Sequence, residues 1–255
     1  MIPYLDPPPP FTLLGARVSW FGVMQVVAGI ATFAALVILG RRMLSRAGAG
    51  EPRRAAEGFA RVVVGAGLVG AHVGGVLAEH GGAVLGRPSL LVSLSGGLSS
   101  AAGLLSAAVA GAGYVVWSGG APRVFADVAA AALPFGMLPA RVGCALVHDH
   151  PGRLSSSWLA VRFPGGARFD CGLLEAAALV GLVGLSAALV RRDLRAGTLA
   201  GVVGAAYSGV RISLDFLRAG DLPGADGRAL GLTLAQWICV ALLGASLALA
   251  LRARG

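Results

Sequence analysis

Lysine and asparagine are both absent from this 255-residue chain, and all 21 of its basic side chains are arginine. Charged residues of either sign make up only 13% of it, against about 25% in an ordinary soluble domain. That shortage excludes a solvated globule of this length. Cysteine is scarce as well. Cys144, Cys171 and Cys239 are an odd set with no CxxC or Cys/His spacing, so no disulfide framework or paired-cysteine zinc module is encoded. They read as small apolar thiols packed within helices. The first 16 residues are Pro-rich and lack the basic stretch of a cleavable leader, so the first apolar segment is expected to be a retained helix.

What is present points to a membrane. Apolar residues reach 56%, mean hydropathy is +0.78, and several apolar runs match the roughly 20 residues a spanning helix needs. A transmembrane barrel would instead show alternating segments of about ten residues, and none are seen. The fold class is therefore all-α: a polytopic integral membrane protein, one domain over residues 1–255. Seven helices are expected near Val18–Gly40, Phe59–Leu77, Leu94–Trp117, Phe125–Val147, Leu173–Val190, Thr198–Phe216 and Leu232–Leu251. Glycines 65, 67, 70, 74 and 75 line the second, matching the small-residue pattern of close helix packing.

Arginine placement sets the expected orientation. Arg41, Arg42, Arg46, Arg53, Arg54 and Arg61 follow the first helix, Arg191, Arg192 and Arg195 the fifth, and Arg252 and Arg254 the last. That richer side is read as cytoplasmic, as is the C-terminus, leaving the N-terminus and the His148–Cys171 loop outside. The net charge of +9 thus reads as topology signal and headgroup contact, with no nucleic-acid partner.

Against this apolar background a few ionisable residues stand out: Asp127, Arg141, Glu175, Arg211 and Asp215, with His72 in the second helix. Each costs about 2.5–3.5 kcal/mol at mid-membrane on insertion scales, so such residues mark function by default. A guanidinium cannot shed its charge, so Arg141 needs a counter-ion or an anionic ligand. Arg211 and Asp215 lie four apart on one helix face and are expected to pair, with Arg218 continuing that face. Arginine's planar fork suits a phosphate ester, and the obvious anionic ligand in a bilayer is a phospholipid headgroup. His148 and His150 flank Asp149, but two histidines at that spacing are a weak metal signal, and no metal site is read from them. Histidine titrates near neutrality, which keeps a proton-handling role open for His72.

Several of these residues fall into ordered motifs. The run Ala140-Arg141-Val142-Gly143-Cys144-Ala145-Leu146-Val147-His148-Asp149-His150-Pro151-Gly152-Arg153 resembles the signature G-R-I-G-N-F-I-N-G-E-L-x-G-R of the bacterial prolipoprotein diacylglyceryl transferases. Leu173 to Glu175 keep part of that family's H-P-S-Q-L-Y-E. Arg211, Asp215 and Arg218 follow R-x-x-x-E-x-x-R, and Leu232-Thr233-Leu234-Ala235-Gln236 resembles L-T-x-x-Q. The resemblance runs in order over nearly the whole chain.

It implies a seven-helix inner-membrane enzyme that moves diacylglyceryl from phosphatidylglycerol to the lipobox cysteine of a prolipoprotein, with no metal or organic cofactor. By resemblance, Arg141 and Arg211 are the catalytic residues and hold the donor phosphate. Glu175, Asp127 and Asp215 orient them, while Gly143, Arg218, Asp149 and Arg153 complete the substrate site, the last two as its rim. Departures are also visible. The family's histidine position is Ala101, its helix-one tyrosine is Phe21, and its signature asparagines are Cys144 and Val147. A helix-two arginine of the family is His72. His72, His148 or His150 are the possible substitute bases. The alternative is a divergent paralogue that binds phospholipid or lipoprotein without this transfer, or uses another acceptor. An anion transporter is a third reading, opposed by the lack of an internal repeat.

Overall fold

The computed structural model describes residues 1–92, 98–222, 225 and 227–252. It is 69% helical with no barrel, and six of its helices are long and apolar enough to cross a membrane. In chain order these are α1 (Trp20–Arg46), α2 (Pro52–His80), α4 (Ser100–Ser118), α5 (Pro122–Val147), α6 (Cys171–Val190) and α8 (Leu234–Arg252). The four-residue α3 (Ala83–Gly86) lies between α2 and α4, and α7 (Thr198–Asp215) falls outside the apolar set. A helix lies at each of the seven expected places, six of them meet the length and hydropathy of a membrane span, and the protein is a multi-pass membrane protein. The expected start of the third, at Leu94, lies outside the described residues. In the structure Ser99 caps α4 by accepting the Ala102 amide at 3.3 Å.

The chain divides into two compact units, residues 36–125 and residues 1–35 with 126–255. In the first, α2 and α4 pack through small residues. A methyl group on Gly103 would meet the Ala71 Cβ at 3.0 Å and the Gly67 carbonyl at 3.1 Å, so only glycine permits this approach.

The second unit carries the charges. Its core joins Leu179 and Leu182 of α6 to Tyr207 of α7, with Leu133, Met137 and Leu138 of α5 against them. Ser186, fully buried on α6, donates to the Ala131 carbonyl of α5 at 2.8 Å, a polar tie inside the apolar layer. Helices α7 and α8 approach closely where Gly201 faces Ala250 and Gly204 faces Ser246.

The segment between α5 and α6 forms an antiparallel sheet, which the sequence did not announce. Its strands are β3 (Pro151–Leu154), β4 (Val161–Phe163) and β5 (Gly166–Asp170), in the order β3-β5-β4. Two shorter ribbons complete the inventory: β1 (Phe11–Leu13) with β2 (Ala16–Val18), and β6 (Arg228–Ala229) with β7 (Leu232–Thr233). The N-terminus extends the larger sheet, with the Ile2 amide donating to Ala160 at 2.8 Å and the Ile2 carbonyl accepting from Arg162 at 3.0 Å.

Arg168 of β5 ties this sheet to the segment after α7. Its two Nη atoms donate to the Asp221 carboxylate at 3.0 and 2.5 Å, and Nη1 also donates to the Gly152 carbonyl. The guanidinium bonded to Asp221 holds its carboxyl below the usual carboxylate range. A carboxyl lowered on folding contributes its stabilisation above its unfolded value and loses it as pH falls through the lowered folded value. Acidification into that lowest range should therefore loosen the segment after α7. Protection of the amides near Leu217 and Arg153, relative to their intrinsic exchange at each pH, is expected to drop with falling pH in the wild type but not in Asp221→Asn, where it is already lowered; equal acid responses would refute the assignment.

Candidate functional site

Three helices bring charge to one place in the second unit. Asp170 caps α6, accepting the Leu173 amide at 3.0 Å, and so starts the helix that carries Glu175 one turn further in. Glu175 Oε2 lies 3.1 Å from Arg141 Nε of α5 and 3.3 Å from Arg211 Nη1 of α7. Arg211 Nη2 lies 3.4 Å from Asp215 Oδ1, so the expected pairing along α7 is present, and Arg218 reaches the same oxygen at 3.6 Å.

Asp215 is held in turn from α8. Thr233 donates its hydroxyl to Asp215 Oδ2, and Thr233 and Gln236 form a reciprocal cap. The Thr233 amide donates to Gln236 Oε1 at 3.0 Å, while the Gln236 amide donates to Thr233 Oγ1 at 3.2 Å. Gln236 Nε2 also donates to the Ile212 carbonyl of α7 at 3.1 Å. Thr233 and Gln236 were visible only as a family-like motif, and nothing in their spacing connected them to a carboxylate 18 residues upstream.

The network is buried: Arg141, Glu175, Arg211 and Asp215 expose 6, 2, 8 and 0% of their surface. It is also incompletely satisfied. Arg141 Nε, Glu175 Oε1 and Asp215 Oδ1 have no hydrogen-bond partner, although ion-pair distances are short. The contact at Arg141 Nε is thus coulombic and off-axis. Arg218, partly exposed, extends the network through its contact with Asp215. Fixed guanidinium donors in an apolar setting are suited to an anion with several acceptor oxygens. Tyr207, fully enclosed by α5, α6 and α7, stands within electrostatic reach of Glu175, Arg211 and Arg141. It too escaped the sequence reading, since a lone tyrosine in an apolar helix carries no signal.

Other expected site residues fall differently. Asp127 does not orient the arginines. Its Oδ2 accepts the Gly197 amide and its Oδ1 the Ala200 amide, both at 2.7 Å, so it caps the start of α7. At about 1.5 Å of rise per residue, that end of α7 lies ~16 Å along the axis from Arg211. Asp127→Ala should lower stability by about 2 kcal/mol in thermal unfolding while phospholipid affinity is kept. Loss of lipid affinity at unchanged stability would return Asp127 to the site.

Gly143 is a packing position, because a methyl there would meet Met24 Cβ at 2.8 Å. His72 belongs to the unit of residues 36–125, where its Nε2 lies 2.9 Å from the Leu91 carbonyl. His148 is engaged at both ring nitrogens, Nδ1 with Asp170 at 2.5 Å and Nε2 with the Leu5 carbonyl at 3.0 Å, and it stacks on Tyr4. That leaves it no free nitrogen for proton transfer.

Arg153 donates its amide to the Leu217 carbonyl at 2.7 Å, and its neighbour Gly152 bridges to Arg218, which sets β3 against the end of α7. Asp149 and His150 turn back toward Cys144, and the ligand atoms of these three side chains lie within 4.8 Å of one another. Arg141 donates to Cys144 Sγ at 3.7 Å.

None of the curated proteins matches this sequence. The match that does exist is to a family, it runs from residue 8 to residue 252, and it takes in every element of the charged network. On that extent the chain belongs to the prolipoprotein diacylglyceryl transferase family.

Proposed function

We propose that this member takes phosphatidylglycerol as donor and transfers its diacylglyceryl group to the lipobox cysteine of a prolipoprotein, at the outer face of the inner membrane. The observation that carries the reading is the buried Arg141–Glu175–Arg211–Asp215 network, in which two guanidiniums meet across one carboxylate and Arg141 Nε lacks a hydrogen-bond partner. In this reading Arg141 and Arg211 bind the phosphodiester. The acceptor sulfur attacks the glyceryl carbon next to the phosphate, an S–C bond forms, the C–O bond breaks, and the electron pair leaves on glycerol phosphate. The arginines stabilise that leaving anion, the electrostatic role that preorganised donors serve best in a dry site. Glu175 and Asp215 position the arginines, and Asp149 with Arg153 forms the rim on the acceptor side.

The test is a reconstituted reaction with labelled lipid and a lipobox peptide. Phosphatidylglycerol should yield lipid-modified peptide and phosphatidylcholine should not, since only the former's headgroup leaves as glycerol phosphate. A second reading, phospholipid binding without transfer, has one observation behind it: the family's histidine position is Ala101, a methyl group. Saturable binding of phosphatidylglycerol with no modified peptide would select that reading over the first.

A further inference from the structure

Resting on the proposed transfer, the geometry of the α5 terminus leads us to propose that Cys144, Asp149 and His150 bind a zinc ion whose open position takes the acceptor's thiol.

The three residues converge because of one backbone feature. His148 adopts a left-handed conformation (φ 51°) just after the last residue of α5, and the Asp149 amide turns back to the Cys144 carbonyl at 3.4 Å. This closes the helix in the manner of a glycine-type terminus, but with a histidine. The chain therefore folds back over its own last turn. It places the next two side chains beside a thiol that is only 5% exposed. The Asp170 contact and the Tyr4 stack hold His148 in this conformation from both sides.

The trio brings one thiol, one carboxylate and one imidazole within reach of a single ion. Asp149 Oδ1 and His150 Nδ1 lie only 2.7 Å apart, yet His150 Nδ1 is buried without a hydrogen-bond partner. A zinc ion about 2.0 Å from each would part these two atoms to about 3.3 Å and give His150 Nδ1 the partner it lacks. One thiolate, one carboxylate and one imidazole make a mixed S/O/N set of the kind zinc accepts. Around a tetrahedral zinc the ligand atoms stand about 3.5 Å apart, so the Asp149–His150 pair would open from 2.7 Å inside a trio that already lies within 4.8 Å. Three protein ligands leave the fourth position for water or substrate, the arrangement of a catalytic rather than a structural site.

Charge and proton balance follow. On binding zinc the Cys144 thiol gives its proton to solvent. Thiolate and carboxylate then neutralise the divalent ion, and His150 ligates as the neutral ring. The acceptor thiol displaces the fourth-position water and also releases its proton to solvent, because a coordinating thiol is deprotonated outright. Its sulfur attacks the glyceryl carbon while the leaving glycerol phosphate departs toward Arg141, which already touches Cys144. The thioether formed is neutral and binds zinc weakly, so it is released and water returns. The ion thus supplies the acceptor thiolate directly, and the cysteine in the signature asparagine's place becomes part of the machinery.

The experiment is metal binding by the full chain in nanodiscs. Protein stripped with chelator and reloaded should hold one zinc per chain. Cobalt in its place should show a thiolate charge-transfer band that intensifies on adding a lipobox peptide, but not the same peptide with serine for cysteine. Cys144→Ser and His150→Ala should each weaken binding at least 10-fold, and Asp149→Asn should weaken it too, while Cys239→Ser should not. Size-exclusion profiles keep misfolding apart from ligand loss. Sub-stoichiometric zinc, or binding indifferent to these substitutions, overturns the site. Zinc bound with no spectral response to the cysteine peptide overturns its role toward the acceptor. Transfer that proceeds undiminished without metal would sink this proposal and leave the proposed function standing, whereas zinc bound as expected with no transfer from phosphatidylglycerol would sink the function instead.

Discussion

Arg141→Ala is expected to lower the rate of diacylglyceryl transfer by about 10²–10³-fold, the usual cost of removing one preorganised donor from a developing anion. The reasoning rests on burial. Arg141 is 6% exposed, its Nε has no hydrogen-bond partner, and it sits between Glu175 and Cys144. Its Nε, 3.1 Å from Glu175 but unbonded, is donor capacity that an anion could use. Arg141→Lys should recover little, because an ammonium cannot present two parallel donors. Rate and saturation should be measured separately. A fall mainly in kcat assigns the arginine to the transition state, whereas a rise in KM alone assigns it to binding the donor. An Arg141→Ala protein that is folded and works within threefold of the wild type would remove Arg141 from the mechanism.

The second large effect concerns stability. Glu175→Ala removes the carboxylate shared by two guanidiniums and leaves them facing each other in a dry interior. Breaking a buried pair in this way costs about 3–5 kcal/mol. Glu175→Gln keeps the volume and part of the hydrogen bonding, so it should fall between alanine and the wild type. The double substitution Glu175→Gln with Arg141→Met should recover much of the stability, since buried ion pairs replaced by apolar groups are often neutral or stabilising. It should recover no transfer. Thermal unfolding of the purified protein in detergent reads all three. A Glu175→Ala protein as stable as the wild type would mean that Arg141, like Arg211 with Asp215, has a second counter-ion.

The parts of this protein differ in how plainly the sequence announced them. The spanning helices were readable because about 20 consecutive apolar residues have few other uses, and Arg141, Glu175, Arg211 and Asp215 were readable because charge in such runs is costly. The same signal could not separate roles. Asp127 is as conspicuous as Glu175 in the sequence, yet it satisfies two backbone amides while Glu175 faces two arginines. Only the arrangement of α5 against the start of α7 distinguishes them. The sheet between α5 and α6 went unseen because its strands are three to five residues long and lack a sustained alternation. The Cys144–Asp149–His150 grouping was hidden because it depends on a left-handed turn at His148, a conformation that sequence assigns readily only to glycine. Thr233 and Gln236 entered the sequence reading only through the L-T-x-x-Q resemblance, which says nothing about the carboxylate that the Thr233 hydroxyl serves.

Helix α7 is the one long helix outside the apolar set, yet it carries Arg211 and Asp215 at the centre of the site. Its ends are fastened by neighbours, Asp127 from α5 at the start and Gln236 from α8 near the close, and its glycines receive Ser246 and Ala250 along the side. A segment so dependent on others is poorly suited to leaving the insertion machinery for lipid alone. During synthesis α7 is expected to wait for α8 and to partition into the bilayer as a hairpin, with α5 already in place. Truncation before Leu234 should then strand α7 at the translocon, which crosslinking of stalled chains would reveal. The residues that assemble the charged site would, on this view, also set the order in which the protein is built.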